Sequence, residues 1–206
     1  MKPRHIFFDV GNVLVRFNRS ETLARVAEAI GIPLTTLEKQ LQGEEVLSKL
    51  EKGLLDWPSA CAVLEARLGR RVDPSLAGEA YCSGFSLIHG MIPLLAGIER
   101  FGCRIGILSN TSAIHWEHLT ARRFGLVPGS MNPVVLSYQE GHLKPEPEIF
   151  DIAARRAGVQ PSGIFFTDDI PENVEAARRA GWDAEVFRSP QELARDLECR
   201  GLDIGI

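Results

Sequence analysis

The sequence has no basic block, no long apolar run and no paired cysteines. Each absence removes a class of function. Without a run of about 18 apolar residues, no membrane-spanning helix is expected. Lys2 and Arg4 precede a short apolar stretch, but Asp9 and Asn12 interrupt it, so it does not read as a signal peptide. The net charge is −4 and the basic residues are scattered. Nucleic acid and anionic membranes are therefore not expected as partners. Cys61, Cys82, Cys103 and Cys199 lie far apart and form no CxxC pair, which speaks against a zinc site and against a disulfide framework. Free thiols in a reducing compartment are the simpler reading, and a cytoplasmic location is expected. No internal repeat and no low-complexity segment is found.

What is present is ordinary globular material: 206 residues, 45% hydrophobic and 24% charged. That suffices for one sizeable domain, or a core with a small insertion. Short runs rich in Ile, Val or Phe recur at His5–Val10, Arg104–Leu108, Pro133–Leu136, Gly163–Thr167 and Asp183–Phe187. Few polar residues interrupt them, as in strands buried on both faces. Helical patterns lie between. Phe150, Ala153, Ala154 and Ala157 share one helix face, and Leu23, Val26, Ala27 and Ile30 repeat the spacing. This alternation predicts an α/β fold with a doubly wound parallel sheet. From about Asn18 to Phe85 the alternation stops. Only helical patterns occur there: Glu21–Ile30, Leu34–Gln42, Glu44–Lys52, Pro58–Leu68 and Pro74–Phe85, with Gly31, Gly43, Gly53 and Gly69 near their ends. The expected organisation is a core of residues 1–17 and 86–206 with an all-helical insertion over 18–85.

In a parallel sheet of this kind, ligands sit beyond the carboxyl ends of the strands. The first run ends at Asp9. The second is followed by Ser109-Asn110-Thr111, the third leads on to Lys144-Pro145, and the fourth ends at Thr167-Asp168-Asp169. Inner strands thus deliver carboxylates, a hydroxyl with an amide, and an ammonium to one edge. The order Asp, Ser/Thr, Lys, Asp-Asp resembles the haloacid dehalogenase-like hydrolase superfamily, whose four motifs match at Asp9 to Val13, Ser109, Lys144 and Asp168-Asp169. The resemblance covers nearly the whole chain. It implies a Rossmannoid phosphatase core, and it implies that the helical block is a cap domain, a lid that excludes water.

The chemistry is coherent on its own terms. A carboxylate can attack phosphorus and form an aspartyl phosphate, which splits one hard displacement into two easier ones. Asp9 is the candidate nucleophile. A phosphate dianion beside Asp9, Asp168 and Asp169 gathers about five negative charges. Like charges at ~4 Å cost several kcal/mol in a partly buried site, so cations are required. Lys144 supplies one, and Mg²⁺ would supply two more charges on oxygen ligands. The resemblance implies that Asp9, Asp169 and the backbone carbonyl of Gly11 ligate Mg²⁺, with Asp168 supporting it through water. It further implies that Asn173 orients Asp169 or a metal-bound water. Ser109 and the backbone N–H of Asn110 would hold the phosphoryl oxygens, and Lys144 would bridge the phosphate and Asp9. A methionine at position 144 is expected to remove activity while sparing the fold. Asp168-Asp169 ahead of Pro171 also suits a helix start. His115, Trp57 and Tyr81 read as packing residues.

One position departs from the superfamily's usual first motif, Asp-x-Asp. Here it is Asp9-Val10-Gly11, and glycine can neither protonate the leaving alkoxide nor activate water. General acid–base help is typically worth ~10²–10⁴ in rate. A water, Asn12 or a cap residue would have to relay the proton; His115, Asp168 and Glu172 are further candidates. The wording Asp-x-Gly-Asn-Val is similar to that of a subgroup that includes bacterial α-D-glucose-1-phosphate phosphatases. An acidic leaving alcohol would need less acid help, so turnover is expected to fall as leaving-group pKa rises. The function read from the sequence is a Mg²⁺-dependent phosphomonoester hydrolase acting on a small phosphorylated metabolite. The alternatives are a haloacid dehalogenase, or a weak or inactive phospho-ligand-binding homologue.

Overall fold

The computed structural model describes residues 2–41, 45–121 and 131–204. After β1 (His5–Phe8) and β2 (Val15–Arg16) come helices α1 (Arg19–Ala29), α2 (Leu34–Leu41), α3 (Glu45–Glu51), α4 (Trp57–Leu68) and α5 (Pro74–Cys82). The chain returns through β3 (Ser86–Leu87) and α6 (Met91–Arg100). It then alternates: β4 (Arg104–Ser109), α7 (Ala113–Thr120), β5 (Val134–Leu136), α8 (Ser137–Glu140), α9 (Pro147–Ala157), β6 (Ile164–Asp168), α10 (Pro171–Arg179), β7 (Asp183–Val186) and α11 (Pro190–Glu198). The expected helix terminator Gly43, with Gln42 and Glu44, lies outside the described residues.

Five strands pair in parallel in the order β5-β4-β1-β6-β7. The apolar runs are short because each crosses the sheet once, and both faces are covered. Side chains alternate across the central strand. Ile6 and Phe8 pack with Leu94, Ile98 and Ile107 on one face. Phe7 joins Phe150, Phe166 and Trp182 on the other, stacking on Trp182 at 5.4 Å. With β1 at the centre, Asp9 emerges in the middle of the carboxyl edge, flanked by the ends of β4 and β6.

The helical stretch has its own apolar cluster around Val26, Ala27, Leu37, Cys61, Leu64 and Ala77. Its helices begin where side chains satisfy the exposed N–H groups. Asn18 accepts from Ser20 and Glu21, Asp56 from Ser59, and Asp73 from Ser75. This is why α1 starts at Arg19 rather than at Glu21. The last helix stops at Cys82, short of the expected Phe85. Gly84 presses against α1, where a Cβ would lie 2.9 Å from Thr22 Oγ1. The chain then pairs antiparallel with its outgoing strand, Val15 with Leu87 and Arg16 with Ser86. This two-stranded ribbon closes the base of the insertion. Two-residue strands carry no readable period, so nothing in the sequence announces it. Among the described residues no helix is long and apolar enough to cross a membrane.

Candidate active site

Asp9 follows β1 directly, and its backbone N–H donates to Thr167 O at 3.1 Å. The chain then folds back tightly: the N–H groups of Leu14 and Val15 both donate to Val10 O, at 2.9 and 3.0 Å. Asn12 takes a φ of 54°, the left-handed region that asparagine tolerates better than most residues. Its side chain is committed to holding that shape. Oδ1 accepts from the Phe17 N–H at 3.1 Å, and Nδ2 donates to Asp169 Oδ2 at 2.9 Å. Asn12 therefore braces Asp169, which leaves it poorly suited to relay a proton.

Lys144 reaches the same point from the loop after α8 and is almost wholly buried. Its Nζ lies 2.9 Å from Asp9 Oδ1 and 2.5 Å from Asp168 Oδ2, and it donates to Leu108 O at 3.0 Å. Two acceptors and a third oxygen surround one ammonium. The Asp9 contact is an ion pair outside directed hydrogen-bond geometry, so Asp9 Oδ1 is a buried carboxylate oxygen with no hydrogen-bond partner. Asn110 fixes the lysine's backbone. Its Oδ1 accepts from the Lys144 N–H and its Nδ2 donates to the Lys144 carbonyl, both at 2.8 Å. The sequence assigned Asn110 only a backbone role. Ser137 similarly clamps Thr111, accepting from its N–H at 2.9 Å and donating to its carbonyl at 3.1 Å. No local sequence signal announces either clamp.

The two late aspartates divide the work. Asp168 is fully buried and its oxygens are occupied: Lys144 on Oδ2, the Ile170 N–H on Oδ1 at 2.8 Å, and Asn173 Nδ2 at 3.1 Å from both. Asn173 thus holds Asp168, where the sequence reading gave it Asp169 or a metal-bound water. Asp169 is half-buried and turned toward Asn12. Ligand oxygens of Asp9, Asp168 and Asp169 lie within 4.8 Å of one another. Ser109, at the end of β4, is buried beside Asp9.

Burial pushes the Asp9 carboxyl up to about 6; Lys144 and Ser109 pull it down and Asp168 pushes it further up. Burial likewise raises Asp169, against its hydrogen bond from Asn12. Burial works against the Lys144 ammonium, but Asp168 and Asp9 outweigh it and the net shift is upward. Three carboxylates facing one ammonium leave uncompensated negative charge. A hard divalent cation fits this set, because its ligands are oxygens and Asp9 Oδ1, with only the Lys144 ammonium beside it, accepts no hydrogen bond.

A cavity of about 70 Å³ adjoins the cluster. Gly11, Ser109 and Asn110 line it from the core, and Arg19, Glu51 and Tyr81 from the helical insertion. A Cβ added at Gly11 would meet nothing within 4 Å. His115 also lines it, stacked on Tyr81 at 4.0 Å with Nε2 3.3 Å from Tyr81 O. Trp57 stacks on the far side of Tyr81 at 4.6 Å and donates to Pro74 O.

Two buried histidines give a pH prediction. Burial, with Arg104 beside it, lowers His5 to about 4; burial also lowers His115 to about 4, against its hydrogen bond to Tyr81. Both rings are neutral in the fold, while the unfolded chain takes up protons near 6.5. Their stabilising effect is complete above that value and is lost as pH falls toward 4, by up to roughly 3 kcal/mol each. Asp9 works with the opposite sign in the same window, since its raised pKa favours the fold as pH falls. Ring-proton NMR separates these effects. The signals of His5 and His115 should stay fixed down to about pH 5. A shift of either near its ordinary pKa would contradict this packing.

Known proteins share this architecture. The model of the haloacid dehalogenase-like hydrolases matches residues 3–181. The chain is 26% identical over 186 residues to a D-ribitol-5-phosphate phosphatase of Bacteroides thetaiotaomicron, covering 87% of this chain and 89% of that protein. It is 28% identical over 189 residues to a glyceraldehyde 3-phosphate phosphatase of Methanopyrus kandleri, covering 85% and 80%. A crystal structure of a B. thetaiotaomicron HAD family enzyme in complex with magnesium and inorganic phosphate superposes with a TM-score of 0.78 at 24% identity, over 91% of this chain and 95% of that one. With the parallel sheet and the four motifs at its carboxyl edge, the chain belongs to the haloacid dehalogenase-like hydrolase family.

Proposed function

We propose that this protein is a Mg²⁺-dependent phosphomonoester hydrolase of small phosphorylated metabolites, with Asp9 as the phosphate-accepting nucleophile. The observation that carries the reading is the placement of Lys144 between Asp9 and Asp168, beside a third carboxylate. A site built only to attack carbon gains nothing from the extra acids. A site that holds a phosphate dianion through a cation uses them. The relatives' names support the same chemistry, since one is a ribitol-phosphate and one a glyceraldehyde-phosphate phosphatase. So does the neighbour crystallised with magnesium and phosphate.

In this reading Asp9, Asp169 and the Gly11 carbonyl would hold Mg²⁺, with Asp168 supporting the site behind them. The cation would supply positive charge that offsets the phosphate dianion. The protein's own groups do the rest. Lys144 keeps Asp9 ionised and oriented, Ser109 and the Asn110 N–H bind phosphoryl oxygens, and Asn110's side chain keeps Lys144 in line. The helical insertion acts as the cap that covers the cavity during the first step. Cys61, Cys82 and Cys103 are buried and unpaired, in keeping with a cytoplasmic, reducing location.

The test is turnover of a panel of small sugar and polyol phosphates and p-nitrophenyl phosphate, with and without Mg²⁺. Hydrolysis that disappears on chelation and returns with Mg²⁺ is expected. Metal-independent hydrolysis, or release of halide from 2-haloacids instead of phosphate from esters, would refute the reading.

A further inference from the structure

Gly11 leaves a space where a side chain would fit, and that space opens on the cavity. One carboxyl reaches the same cavity from the other side. Glu51 is the last residue of α3 and the only carboxylate among the described residues lining it. The other side chains considered for proton transfer are placed elsewhere. His115 is neutral and packed on Tyr81, Asp168 is saturated by Lys144, Ile170 and Asn173, Asn12 is tied to Asp169 and Phe17, and Glu172 is exposed and does not line the cavity.

The end of α3 is fixed to the core. Lys52 pairs with Glu146 at 2.6 Å, and Glu146 Oε2 accepts from the N–H of Leu143, the residue before Lys144, at 3.2 Å. Gly53 follows at a φ of 68°, so close to α8 that a Cβ would lie 2.1 Å from Tyr138 O. Only glycine can make that approach. Glu51 is therefore presented to the cavity by a segment anchored on the lysine loop.

Resting on the aspartyl-phosphate reading above, we infer that Glu51 is the catalytic acid and base that Gly11 cannot be, supplied from the helical insertion instead of from the first motif. As the bond from Asp9 to phosphorus forms and the ester P–O bond breaks, the proton of the Glu51 carboxyl passes to the leaving oxygen. The alcohol departs and Glu51 is left ionised. In the second step water attacks the aspartyl phosphate, its proton returns to Glu51, and Asp9 and phosphate are released. Burial raises the Glu51 carboxyl, against the pull of Arg19, which helps it carry the proton to be donated. A leaving alcohol then need not be acidic, and the expected fall of turnover with leaving-group pKa disappears.

The experiment compares kcat/KM for glycerol phosphate and p-nitrophenyl phosphate, because kcat/KM covers steps only up to departure of the alcohol. In Glu51→Gln the glycerol-to-nitrophenyl ratio should fall by ~10² or more. Adding Gly11→Asp in the same chain should restore the ratio, since the space at position 11 is open. An unchanged ratio, or an equal fall on both esters, overturns the acid role and leaves the phosphatase reading standing. A wild-type protein that hydrolyses neither ester with Mg²⁺ overturns both.

Discussion

Lys144→Met will abolish turnover and will also destabilise the fold by about 3–5 kcal/mol at neutral pH. The sequence led to the opposite expectation for stability, because it gave Lys144 a role toward phosphate and Asp9 and none in the core. The structure puts that lysine between two buried carboxylates and a strand carbonyl. Removing one member of a buried ionic cluster leaves the others charged and unpaired, which is far worse than replacing the whole cluster by apolar groups. Asp168 would keep Asn173 and the Ile170 N–H but lose its counter-charge, and Asp9 would lose its only close cation among the described residues. Asp9, already raised by burial, would then lose the cation that pulls its carboxyl down. Stability of the variant must therefore recover as pH falls and Asp9 takes up its proton. Urea unfolding near pH 7.5 and near pH 5.5 checks this. A deficit that does not shrink on acidification would show that lost packing, not unpaired charge, is responsible.

The fold was legible because strands buried on both faces have an unmistakable composition, and because each inner strand ends in a chemical group. Asp9, Ser109, Lys144 and the Asp168-Asp169 pair could be found that way, since the sheet itself converts sequence order into position. What escaped reading lies across the sheet, between residues far apart in the chain. Asn110 grips the backbone of Lys144 from 34 positions away, and Asn12 reaches Asp169 across 157. An asparagine has no periodicity that says where its amide points. Asn173 was expected to orient Asp169 or a metal-bound water, and the fold brings its amide onto both oxygens of Asp168, five positions back. Glu51 sits on a short helix among ordinary surface charges, and only tertiary packing brings it to the cavity that Gly11 also lines. The β2–β3 ribbon is too short to leave any pattern at all.

Asp9→Asn should lower turnover by about 10⁴- to 10⁶-fold, the scale seen when a nucleophile is removed, yet it should leave the apo protein as stable as the wild type or more so. The asymmetry with Lys144→Met comes from the sign of the Asp9 shift. Burial and Asp168 hold its carboxyl at about 6, above the ordinary 3.8, so ionising it in the fold is unfavourable even with Lys144 at hand. A raised carboxyl pKa means the fold holds the proton more tightly than the unfolded chain. Stability is then lost as pH climbs from about 4 to about 6, by up to roughly 3 kcal/mol. Asparagine has no proton to lose and escapes that penalty, while Lys144 keeps Asp168 and the Leu108 carbonyl. Mg²⁺ should change the ranking. By binding the folded state, the metal stabilises wild type as its concentration passes the dissociation constant, and the variant, short of one carboxylate ligand, should respond less. Thermal unfolding near pH 7.5 over a Mg²⁺ series therefore reads both effects in one experiment. Wild-type turnover by the variant would end the assignment of Asp9 as nucleophile. A variant as unstable as Lys144→Met would mean that Asp9 holds the core together instead of being held in place by it.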